Sequence, residues 1–222
     1  MKMLLKIVVI GGLCWAGNVR AENKRAVPPE RVSVYKVALV CPAAPQIGCG
    51  SRAKPILLAL ESEPRVVEAW LNRPGTLMAI IWKQESKRKE RVAAFKAIRE
   101  KEDFSAVELA GGERKKALSD FLSGEGWLRG SDVDRLSTEE AGIMARRLIR
   151  KIRGVVILTD EKAMHLQSEI TETIQHGLTG KLPAGTSARE EIAKVLRHEL
   201  SEKEANLLQD ALKDYRPNRD EP

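Results

Sequence analysis

The chain has 222 residues, with 38 Lys and Arg against 31 Asp and Glu, a net charge of +7 and only 4% aromatic residues. That length allows one or two domains. The mild basic excess suits solubility or attraction to anionic envelope surfaces rather than nucleic-acid binding, and the scarcity of aromatics puts the core on Leu, Ile, Val and Ala.

Met1 to Ala21 reads as a secretory signal peptide. Lys2 and Lys6 give it a positive start, Ile7 to Gly17 an apolar stretch, and Val19-Arg20-Ala21 small residues for cleavage. Roughly 11 apolar residues are too few to span a bilayer, which needs about 20. No transmembrane segment is therefore expected after cleavage. Cys14 follows Leu13, where a lipoprotein site wants a small residue, so lipidation is not expected. Cleavage removes Lys2, Lys6 and Arg20 and no acid, leaving 35 basic against 31 acidic residues, a charge of +4. The mature protein is then periplasmic or secreted, in an oxidising place with two cysteines, Cys41 and Cys49.

Residues 22–31 are polar and contain proline, which predicts a flexible leader. Val32 to Val40 is β-branched and partly alternating, a strand. The stiff loop from Cys41 to Gly50 follows, with Pro42 and Pro45 inside it. Ser51 caps a helix to about Ser62, striped by Ile56, Leu57 and Leu60 and broken by Pro64. Val66 to Asn72 and Thr76 to Trp82 are strands joined by the turn Asn72-Arg73-Pro74-Gly75. Whether Trp70 and Trp82 share a face depends on register; both are read as sheet packing. Glu85 to about Lys101 is a charged helix with Val92, Phe95 and Ile98 inward, and Phe104 to Leu109 a short last strand. Strand, helix, strand, strand, helix, strand over 32–110 predicts an α+β ferredoxin-like domain, an antiparallel sheet with two helices on one face.

Beyond Gly111 the signals are helical. Helices are expected at 112–122, 138–153, 160–176, 188–199 and 202–215, a helical region over 111–216 before a disordered tail at 217–222. Ser137 with Glu140, Ser187 with Glu190 and Ser201 with Glu204 have capping-box spacing. These helices form a small bundle or cover the sheet. The basic cluster Arg146, Arg147, Arg150, Lys151 and Arg153 reads as a solvated helix end, where cations suit the dipole.

A unit of about 80 residues, with Cys41 ending the first strand and Cys49 opening the first helix, resembles the heavy-metal-associated domain, a family of periplasmic mercury-binding proteins and copper chaperones. The link Leu60-Glu61-Ser62-Glu63-Pro64-Arg65-Val66 is similar to that family's acidic link into its second strand. Seven residues separate the thiols here, where the family has two. The resemblance implies a non-enzymatic metal-binding protein in which Cys41 and Cys49 hold a soft ion, Cu(I), Hg(II) or Zn(II), and exchange it with a metal donor or acceptor. The residues leave two other roles open. A Cys41–Cys49 disulfide would close a loop worth about 2.5 kcal/mol and make the chain a stapled scaffold that binds another envelope protein. Alternatively, the pair performs thiol-disulfide exchange.

A second constellation lies at helical offsets. His165, Glu169, Glu172 and His176 fall on one face of their helix, opposite Ala163, Leu166, Ile170 and Ile174. Histidine and carboxylate at one-turn spacing suit zinc; the alternative is an amphipathic helix showing water its polar side. The metal reading requires a further ligand from another helix. His198 reads as a surface residue. There is no His-Glu-x-x-His, Gly-x-Ser-x-Gly or phosphate-loop motif.

Overall fold

A computed structural model describes residues 25–212, with side chains described through Leu208. The expected signal peptide and the tail at 217–222 lie outside these residues, as do the start of the leader and the end of the last helix. The elements are β1 (Val32–Val37), β2 (Val40–Cys41), β3 (Ala44–Gly48), α1 (Gly50–Glu61), β4 (Val66–Asn72), β5 (Leu77–Trp82), α2 (Arg88–Lys101), β6 (Ala106–Glu108), α3 (Gly111–Ser123), β7 (Trp127–Leu128), α4 (Asp134–Arg153), α5 (Asp160–Leu178), α6 (Ala188–Glu199) and α7 (Glu202–Leu212). The protein is thus mixed α and β, with an antiparallel main sheet and seven helices among the described residues.

Five strands form that sheet in the order β6-β1-β5-β4-β7. Alternation sorts its side chains. Tyr35 and Val37 of β1, Ala69 and Leu71 of β4, and Met78, Ile80 and Trp82 of β5 point to one face. There they meet Ala53, Ile56, Leu57 and Leu60 of α1 and Ala94 and Phe95 of α2. Tyr35 stacks on Phe95 with ring centroids 3.9 Å apart. Val32, Val34, Ala79 and Ile81 point to the other face and are covered by Ala117, Leu118 and Phe121 of α3 and by Trp127. Phe95 is buried as expected and Ile98 packs beside it, whereas Val92, also expected to face inward on α2, is 48% exposed and Ala94 is buried. Register places Trp70 opposite Ala79 and Trp82 opposite Val66. Trp82 therefore packs with α1 and α2, and Trp70 sits beside Phe121 on the opposite face.

Asn72 organises the β4–β5 turn that its sequence predicts. Its Oδ1 accepts from the N–H groups of Thr76 and Leu77. Gly75 adopts φ +74°, and a Cβ there would lie 2.6 Å from the Gly48 Cα. Only glycine satisfies both demands. The leader is tied down from Arg25 onward: its guanidinium lies 4.0 Å from the Trp70 ring centroid and donates to the Phe121 carbonyl. Burial there lowers the Arg25 pKa, with Glu68 opposing the shift.

The remaining core lies among α4, α5, α6 and α7, around Ala141, Ala145, Ile152, Leu166, Ile170 and Leu208. Thr159 caps α5 by accepting from the Lys162 N–H. Ser187 and Glu190 form the expected capping box on α6, and Ser201 and Glu204 bond reciprocally at the start of α7. Helix α4 joins the two cores. Leu136 packs under the sheet, whereas Ala141 to Ile152 pack in the bundle. At its far end, Arg153 Nη2 pairs with Asp160 Oδ1 at 2.7 Å. No helix among the described residues is long and apolar enough to cross a membrane.

Candidate functional site

The stiff cysteine loop expected from the sequence contains a strand pair. It folds as a two-stranded hairpin in which Cys41 pairs with Ala44 and Val40 with Gly48, with a register irregularity between. The Cys49 N–H donates to the Leu39 carbonyl at 2.7 Å and the Gly48 N–H to the Arg73 carbonyl at 2.7 Å. Arg147 of α4 reaches across and donates to the Ala43 carbonyl. The hairpin thus sits between the β4–β5 turn and α4.

This geometry rules against the Cys41–Cys49 disulfide, one of the roles that the sequence leaves open. Both cysteines are buried free thiols outside disulfide distance. The hairpin closes at Cys41–Ala44, which sets Cys49 beside Leu39, and each thiol has its own neighbour. Cys49 is the N-cap of α1, with its Sγ 3.3 Å from Ser51 Oγ. The Cys41 thiol lies beside the Glu140 carboxylate. Burial pushes the Cys41 pKa up to about 12, and the adjacent Glu140 carboxylate adds to the rise. The N–H groups of Ala43 and Ala44 pull weakly the other way. Attack on a disulfide and soft-metal ligation both need thiolate, and this environment holds Cys41 as thiol. The Glu140 carboxyl is itself raised by burial, with the neighbouring Cys41 thiol opposing.

Ser137 and Glu140 were expected to cap a helix beginning at 138. Instead α4 starts at Asp134, so both residues lie inside the helix and face the cysteine corner. Both are buried, and Ser137 Oγ and Glu140 Oε2 have no hydrogen-bond partner among the described residues. Contact with α1 is tight. A Cβ on Gly50 would strike Ser137 Oγ and lie 2.9 Å from both Ser137 N and the Val133 carbonyl.

The second expected constellation is split. His165 Nε2 lies 3.8 Å from Glu169 Oε1 and 3.8 Å from Glu199 Oε1, the latter contributed by the end of α6. Glu172 and His176 lie farther along α5, beside Gln167, Ser168 and Gln175 at a shallow polar depression. Among the described residues, the one group of three or more His, Cys, Asp or Glu side chains with mutually close donor atoms is His165, Glu169 and Glu199. Neither cysteine belongs to it. His198 is a surface residue, as expected, with its side chain 85% exposed.

A cleft of about 1270 Å³ opens in the helical half. Met144 and Leu148 of α4, Ile174 of α5 and Ile192 and Leu196 of α6 give it an apolar floor. Arg189 and Arg197 stand on its α6 side and Glu202 on the α7 side. Local sequence did not reveal the cleft, because its walls come from four helices that the chain pattern cannot place side by side. The same holds for Glu199, whose neighbours in sequence give no hint that it meets His165. No protein-family model, no curated protein and no solved structure matches the chain.

Proposed function

We propose that this is an exported, non-enzymatic interaction protein whose α+β part serves as a scaffold and whose helical cleft receives an amphipathic helix of a partner protein. The cleft carries the reading. Its volume of about 1270 Å³ exceeds the ~300–1,000 Å³ of ordinary small-molecule sites, and an apolar floor between helices suits a helix laid in a groove. Arg189 and Arg197 make no ion pair among the described residues. They favour a partner helix with acidic flanks. Export rests on the signal-like Met1–Ala21 segment.

The scaffold supports a ferredoxin-like reading. Apart from β7, its strands run β6-β1-β5-β4, and α1 and α2 share one face. A soft-metal site on Cys41 and Cys49 would require Cys41 to leave Glu140 and lose its proton, so the cysteine corner is taken as packing between the sheet unit and α4.

Fluorescence anisotropy with labelled amphipathic peptides, identical in apolar face but acidic or basic in flank, tests the proposal. The acidic peptide is expected to bind, Ile192→Glu to abolish binding, and Arg189→Glu with Arg197→Glu to reverse the charge preference. Equal binding of both peptides, or indifference to Ile192→Glu, would overturn it.

A further inference from the structure

We propose a divalent-metal site of zinc type formed by His165 and Glu169 of α5 with Glu199 of α6, fastening these two helices together. Three observations support it. First, the donors come from two elements and converge: one ligand atom from each residue lies within 4.8 Å of the others. A tetrahedral zinc with bonds of about 2.1 Å spaces its donors roughly 3.4 Å apart. The two His–Glu distances of 3.8 Å are already close to that spacing. Part-exposed side chains, with 57% exposure for His165 and 38% for Glu169, can close the rest by small torsional changes.

Second, the charge is uncompensated. Neither Glu169 nor Glu199 pairs with a Lys or Arg among the described residues; their ion-pair contacts are to histidines alone. Two carboxylates facing one another beside an imidazole attract a divalent ion. Third, the chemistry discriminates. One imidazole and two carboxylates form a nitrogen–oxygen set that suits zinc and its neighbours, not the thiophilic Cu(I) or Hg(II). Water would complete the coordination, as is usual where protein supplies three ligands.

The position gives the site a consequence. Glu199 is the last residue of α6, immediately before the link to α7. The face of α6 that lines the cleft, with Ile192 and Leu196, lies within two turns of it. A bound ion would pin that wall against α5. The inference stands independently of the occupant proposed for the cleft.

Isothermal titration of zinc into the full-length chain is expected to show one ion per chain with micromolar affinity. Glu199→Gln and Glu169→Gln, close isosteres on the surface, are each expected to weaken binding by at least ~10-fold, and His176→Ala to leave it unchanged. Zinc is expected to raise the melting temperature of the parent chain but not of Glu199→Gln, because only a site spanning both helices stabilises their pairing. Cobalt in place of zinc is expected to show ligand-field bands without thiolate charge transfer. Unchanged affinity in Glu199→Gln, loss of binding in His176→Ala, a thiolate band or no zinc uptake would each overturn the proposal. Circular dichroism confirms that the variants are folded.

Discussion

Gly50→Ala tests the close seam between α1 and α4. In an isolated helix the exchange would stabilise by up to ~1 kcal/mol, because glycine is the poorer helix former. Here the added methyl would strike Ser137 Oγ and approach Ser137 N and the Val133 carbonyl to 2.9 Å. Two of those three obstacles are backbone atoms of a buried helix, so no rotamer change relieves them. Forcing a methyl into a packed contact costs about 1–3 kcal/mol. Since α1 must move away from both backbone atoms, the upper part of that range applies. Set against the helix-propensity gain, the expected net loss is about 2 kcal/mol, or a fall in Tm of roughly 4–8 °C for a chain of this size. Urea titration of the full-length protein, read by far-UV circular dichroism, measures it. Ser137→Ala removes only the hydroxyl obstacle. The double variant is therefore expected to recover about 1 kcal/mol, a coupling energy within the usual range for contacting residues. If Gly50→Ala proves neutral or stabilising, α1 does not press on α4, and the account of the cysteine corner fails with it.

Ser137→Ala alone is expected to be neutral or to stabilise by up to ~1 kcal/mol in the same assay, because its buried hydroxyl has no partner to lose. Cys41 binds its proton more tightly in the folded state, with a pKa raised from 9.0 to about 12. Its contribution to stability is thus complete below pH 9 and lost as pH climbs through that window. Tyr35, raised to about 12 chiefly by burial and next by the Glu108 charge, adds a loss from pH 10 upward. Denaturation midpoints measured across this range should fall more steeply in the parent than in Cys41→Ala. Cys41 and Cys49 should resist a bulky thiol reagent in the native protein and react in denaturant, as peptide mapping would show; rapid native labelling of Cys41 would contradict its burial. Phe121→Ala empties a fully buried site between Trp70 and Trp127, with an expected cost of about 3–5 kcal/mol by calorimetry.

Local signals located most elements well and failed where meaning depended on distant residues. The partial alternation of β1 and the capping boxes at Ser187 and Ser201 are properties of neighbouring residues, and these elements stand where the sequence predicts. Ser137-x-x-Glu140 has the same pattern as Ser187-x-x-Glu190. It is not a cap because α4 begins at Asp134, and Val133 and Leu136 are already fixed in the sheet core. The cysteine segment reads as a loop stiffened by its prolines, yet it forms a hairpin with Pro42 at the turn. Strand β7 is two residues long and has no period to detect; its pairing with Leu71 and Asn72 defines it. On α5 the face bearing His165 and Glu169 was legible. That it splits, with Glu199 replacing Glu172 and His176 as the neighbouring donor, depended on where α6 came to rest.

Helix α4 is one unbroken rod of 20 residues, about 30 Å long at 1.5 Å per residue. Because its first turns are anchored beneath the sheet and its later turns in the bundle, neither half can melt while the rod stays intact without stripping the other of a wall. Heating should therefore produce a single cooperative calorimetric transition, not two, and damage at one end of the rod should be felt as lost heat capacity at the other.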